Sequence, residues 1–127
     1  MKRLFLFILF CAVGTLGMTQ NSFGDIVGEW YGEEQDRSTF VVTKNSDGVY
    51  KAVVTASEEP DNIGEVVFED VRYDAESKTW KGTLTPPGRS ISVNAEFTLV
   101  SKEKLQVDGK MAFITRSFVW ERVENKH

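Results

Sequence analysis

The sequence predicts an all-β fold, a small up-and-down antiparallel β-barrel of about eight strands. Three observations predict it. Apolar and polar residues alternate from Ser90 to Val100, turn-forming clusters punctuate the chain at short intervals, and no stretch past Gly24 holds helical spacing for more than two turns.

The alternation is clearest in SISVNAEFTLV, where Ile91, Val93, Ala95, Phe97 and Leu99 face one way and Ser90, Ser92, Asn94, Glu96 and Thr98 the other. Period two over that length describes a half-buried strand. Val49 to Ala56 repeats the pattern with Tyr50, Ala52 and Val54 on one face. Asn45-Ser46-Asp47-Gly48 joins Phe40-Val41-Val42 to that strand as a hairpin. Asp74-Ala75-Glu76-Ser77 separates Val66–Tyr73 from Thr79–Thr85, and Pro86-Pro87-Gly88 stops the latter before the long strand. Ser101-Lys102-Glu103-Lys104 makes the next bend, and Asp108-Gly109 marks a further turn or bulge. The strands fall near 26–31, 37–44, 48–56, 65–73, 78–85, 89–100, 103–109 and 111–123. Ser57 to Gly64 is a polar loop. Short connections favour sequential neighbours, and closure removes the exposed edges a sandwich would leave.

The chain opens differently. Lys2 and Arg3 precede the apolar run Leu4 to Val13, and small and polar residues follow from Gly14 to Gln20. That order describes a secretory signal, residues 1–19, ahead of a domain over 20–127. The run is about half of what a spanning helix needs, so no membrane span is expected in the mature protein. Cleavage is expected after Gly17 or Thr19. A lipoprotein site at Cys11 is disfavoured because bulky Phe10 precedes it inside the apolar run. The expected location is therefore exported, periplasmic or secreted.

Loss of Lys2 and Arg3 leaves 13 basic against 19 acidic residues, moving the net charge from -4 to -6. Phosphate backbones repel such a domain, so nucleic acid is not an expected partner. The mature chain keeps no Cys, and the core must stabilise it without disulfides.

Gly28-Glu29-Trp30 opens the first strand, Tyr73-Asp74 and Trp80-Lys81-Gly82 follow, and the chain ends Gly109-Lys110-Met111 and Arg116-Ser117-Phe118-Val119-Trp120-Glu121-Arg122-Val123. In these segments it resembles the exported lipocalin-like proteins of the domain-of-unknown-function 2147 family, which implies a calycin-type barrel and no agreed activity. Members often carry Cys-Gly-Lys after the second strand, where this chain has Val49-Tyr50-Lys51. In lipocalin-like barrels an early Trp stacks with an Arg from the last strand, and the resemblance implies a closure pair here. Trp30 is the aromatic member. Arg116, set among Ile114 and Phe118, is the expected cation and Arg122 the fallback; a guanidinium over a Trp face contributes about 0.5 to 2 kcal/mol.

Little catalytic chemistry is legible. The single His is terminal His127, no Ser sits in a nucleophile elbow, and no phosphate loop occurs. The acidic clusters Glu33-Glu34-Asp36, Glu58-Glu59-Asp61 and Glu65-Glu69-Asp70 lack calcium-loop spacing and read as solvated surface. No enzyme, metal or cofactor is expected. Two functions remain: a module holding a small apolar or amphipathic molecule inside the barrel, or a structural or interaction protein of the envelope with a filled core. For the first, the expected lining is Tyr50, Val54, Trp80, Leu84, Val93, Phe97 and Phe118, with room left by the small residues Ala52, Gly82 and Ala95 and polar handles at the Tyr50 hydroxyl and Trp80 indole.

Overall fold

Alternating side chains build a sheet with one apolar face, and here that sheet curls until its first and last strands meet. The computed structural model describes residues 23–111 and 113–123. The leader expected over 1–19 lies outside the described residues, as does His127. Eight strands follow one another: β1 (Gly28–Gly32), β2 (Ser38–Lys44), β3 (Val49–Ala56), β4 (Val66–Asp74), β5 (Thr79–Leu84), β6 (Val93–Ser101), β7 (Lys104–Met111) and β8 (Ile114–Arg122). Each pairs antiparallel with the next, and β8 returns to β1 through Trp30↔Arg122 and Tyr31↔Glu121. The result is a closed up-and-down barrel.

Period two carries directly into packing. Phe40 and Val42 of β2, Tyr50, Ala52 and Val54 of β3, Ala95, Phe97 and Leu99 of β6, and Leu105 and Val107 of β7 are all buried on the inner face. At one end lie the β2–β3, β4–β5 and β6–β7 turns, together with residues 24–27 and the end of β8. At the other lie the β1–β2, β3–β4, β5–β6 and β7–β8 connections. Pro60–Asn62 forms a single 3-10 turn in the polar loop.

Two boundaries differ from the sequence reading. The sixth strand begins at Val93 rather than near 89, and Ile91, expected on the inner face, is 62% exposed. Pro86-Pro87 starts a loop that runs over the barrel end before pairing resumes. The turn or bulge expected at Asp108-Gly109 lies later. Asp108 and Gly109 are laddered on both sides, to Glu96 and Ala95 and to Ser117 and Arg116, and β7 runs on to Met111.

One irregularity shapes the interior. Register slips between Glu69 and Arg72, with Asp70 at φ 56°, so β4 bulges inward against β5. Gly82 lies against the bulge: a Cβ there would stand 2.7 Å from Val71 Cα and 2.9 Å from the Asp70 carbonyl oxygen. The space expected at Gly82 is therefore filled by β4 itself.

Candidate functional site

The middle of the barrel is packed with aromatic rings. Phe40 and Trp120 stack with centroids 4.3 Å apart, Phe68 and Phe97 lie at 4.6 Å, and Trp120 stands 6.3 and 6.4 Å from Phe68 and Phe97. Above this cluster, Gln35 of the β1–β2 loop turns inward and its Oε1 accepts a 2.7 Å hydrogen bond from Trp120 Nε1. A buried amide and a buried indole thereby satisfy each other. Sequence reasoning misses both: a loop Gln shows no periodic signal, and Trp120 stands out in the sequence only as part of a terminal motif.

The expected lining residues are all turned inward, but they do not form one pocket. Val54 and Phe97 are buried in the packed middle, at 1% and 0% exposure. Tyr50 and Trp80 line a cleft at one end, whereas Leu84, Val93 and Phe118 line a larger one at the other. Ala52 and Ala95 are buried and line neither.

At the first end the chain is riveted. The Arg122 guanidinium lies 4.3 Å over the Trp30 ring. Its Nε donates to the Lys102 carbonyl at 2.9 Å, Nη1 to Val27 at 3.1 Å and Nη2 to Asp25 at 2.9 Å, while Trp30 Nε1 donates to the Ile26 carbonyl. The closure cation is thus Arg122, not Arg116. Register decides it: Arg122 is the ladder partner of Trp30, whereas Arg116 lies six residues back along β8, roughly 20 Å at strand rise.

The cleft there has a volume of about 450 Å³ and is lined by Asp25, Lys44, Tyr50, Arg72, Tyr73 and Trp80 among others. Asp25 is its node. Its Oδ1 accepts from the Tyr50 hydroxyl at 2.8 Å and from the Ile26 amide at 2.7 Å, and its Oδ2 meets Lys44 Nζ at 3.1 Å. Burial pushes its pKa up, but the bonds from Tyr50, Lys44 and Ile26 together outweigh it and hold the carboxyl below its ordinary range. Bonding to Asp25 holds Lys44 above its usual value, and burial does the same for Tyr50 and Tyr73. The Tyr50 hydroxyl is therefore already committed. The Trp80 indole favours the Tyr50 phenolate but makes no hydrogen bond of regular geometry, and it and the Tyr73 hydroxyl are buried without partners.

The second end is open. A cleft of about 720 Å³ is floored by Leu84, Val93 and Phe118 and walled by Pro86, Pro87 and Ile91 of the β5–β6 loop. Gly109 makes the room: a Cβ there would make only ordinary contacts, with Val93 at 3.5 Å, Leu84 at 3.6 Å and the Arg116 carbonyl oxygen at 3.9 Å. Polar groups stand at the mouth, with Glu34, Gln35 and Asp36 on the β1–β2 loop, Arg89 on the β5–β6 loop and Arg116 on β8. Asp36 accepts from Asn62 Nδ2 at 3.0 Å. Among the described residues neither the Arg89 nor the Arg116 guanidinium has a hydrogen bond or ion pair. Met111 and Ile91 on this rim are 45% and 62% exposed, and Phe113 of the adjoining turn and Ile114 at the start of β8 are exposed as well.

Among the described residues no helix is long and apolar enough to cross a membrane. Comparison with protein-family models, with curated proteins and with solved structures found no match to this chain.

Proposed function

We propose that this chain is an exported, lipocalin-like binding module that holds a small amphipathic molecule in the open-end cleft, not through the length of the barrel. The observation that carries the reading is the cleft of about 720 Å³, whose floor of Leu84, Val93 and Phe118 is apolar and whose mouth is polar. That volume and that lining are typical of small-molecule sites. The riveted end and the packed middle support the placement, because they leave the second end as the roomier route to the inner face. The basic start and short apolar run support export, and the Trp30–Arg122 stack at the seam supports kinship with the domain-of-unknown-function 2147 proteins.

Gly109→Leu tests the reading. The longer side chain projects into the cleft from a position where the first added carbon fits. Decanol and decanoate should raise the melting temperature of the unaltered protein; a ligand at a hundred times its Kd adds about 2.7 kcal/mol. The Leu variant should melt normally and lose the shift. The packed aromatic middle favours a second reading, a purely structural envelope barrel. No shift with any single-chain amphiphile would establish that reading over the first.

A further inference from the structure

We infer that the molecule held at the open end is an anionic amphiphile, its oxyanion head group taken by Arg116 and Arg89. This rests on the reading of the open-end cleft as a binding site and names its ligand class.

Arg116 occupies an unusual position. Along β8 the inward register runs through Ile114, Arg116, Phe118, Trp120 and Arg122, and the last three carry out core or closure work. Arg116 is exposed at the rim of the cleft that Leu84, Val93 and Phe118 also line, so its guanidinium is open to a ligand's head group. Arg122, on the same register at the far end, meets a ring and three carbonyls. The Arg116 guanidinium has no hydrogen bond or ion pair among the described residues, and its ladder neighbour is Gly109. Arg89, also unpaired, reaches the same mouth from the β5–β6 loop. By contrast, Arg37 nearby is neutralised by Glu33 and Glu58.

The acids at the mouth do not serve as those counter-charges. Neither Glu34 nor Asp36 lies within ion-pair distance of either arginine, and Asp36 is engaged by Asn62. Two planar guanidiniums above an apolar floor suit a carboxylate or phosphate, which can take paired N–H donors, with an alkyl chain lying on Val93, Leu84 and Phe118. A neutral alcohol leaves both cations unmatched, and an alkylammonium is repelled by them.

Calorimetric titration with four probes sharing a ten-carbon chain decides it: decanoate, decyl phosphate, decanol and decyltrimethylammonium. The purified protein should bind decanoate or decyl phosphate at least about tenfold more tightly than decanol, as charge-assisted bonds imply, and the preference should shrink with added salt. Tighter binding of decanoate points to free fatty acids, and of decyl phosphate to phospholipid fragments. Arg116→Gln and Arg89→Gln should each reduce the preference for decanoate over decanol, and Arg116→Lys should retain part of it. Melting curves of each variant separate lost binding from lost folding. Equal binding of decanol and decanoate, or a preference for decyltrimethylammonium, overturns the head-group assignment and leaves the cleft standing. Binding of no probe at all removes the reading beneath it.

Discussion

The two ends of the barrel use the same residue type in opposite ways. Arg122 and Arg116 lie on one strand and one inward register, six residues apart, yet the first is tied to Trp30 and three backbone carbonyls while the second is unpaired. What differs is the material across the ladder. At the riveted end, Asp25, Val27 and Lys102 of the β6–β7 turn present carbonyl oxygens that accept from Arg122. At the open end the neighbour is a glycine, and the space it leaves belongs to the cleft. An arginine's role is set by its surroundings more than by its sequence neighbours.

The largest test of this contrast removes each arginine in turn. Arg122→Ala loses the stack and three hydrogen bonds to backbone carbonyls at the rim, and should cost about 1 to 3 kcal/mol in urea unfolding. Arg116→Ala touches nothing structural and should stay within about 0.5 kcal/mol. Equal costs would erase the distinction between rivet and handle.

A second pair sharpens it. Gly82→Ala drives a methyl group into the backbone of the β4 bulge and should destabilise by about 1 to 3 kcal/mol. Gly109→Ala meets only ordinary contacts and should be close to neutral, within about 0.5 kcal/mol. Thermal melts of both variants distinguish space that is filled from space that is open.

The smallest effects belong to the Asp25 node. Tyr50→Phe removes a hydroxyl that donates to the carboxylate and should cost about 1 to 2 kcal/mol. Tyr73→Phe removes a buried hydroxyl without a partner and should be neutral or slightly stabilising. Asp25 titrates below its unfolded value, so its contribution is complete above about pH 4 and is lost as pH falls through the folded pKa. Stability measured between pH 6 and pH 2 should therefore fall less steeply in Asp25→Asn than in the unaltered protein.

Strand number, strand order and the inward set Trp30, Tyr50, Val54, Trp80, Leu84, Val93, Phe97 and Phe118 were all determined by the sequence by itself. The physical reason is locality: period two and turn chemistry are set within a few residues, and a closed meander follows from short links between neighbours. Three matters were decided only by tertiary structure. The stagger of β8 against β1 placed Arg122, not Arg116, on Trp30, and stagger is a property of the whole closed sheet. The bulge in β4 filled the space expected at Gly82, while Gly109, which reads in sequence as a turn or bulge, left the gap that stayed open. The stacking of Phe40, Phe68, Phe97 and Trp120 from four different strands divided one expected interior into two clefts. Each depends on contacts between residues far apart in the chain, where volume and register are settled only when the barrel closes.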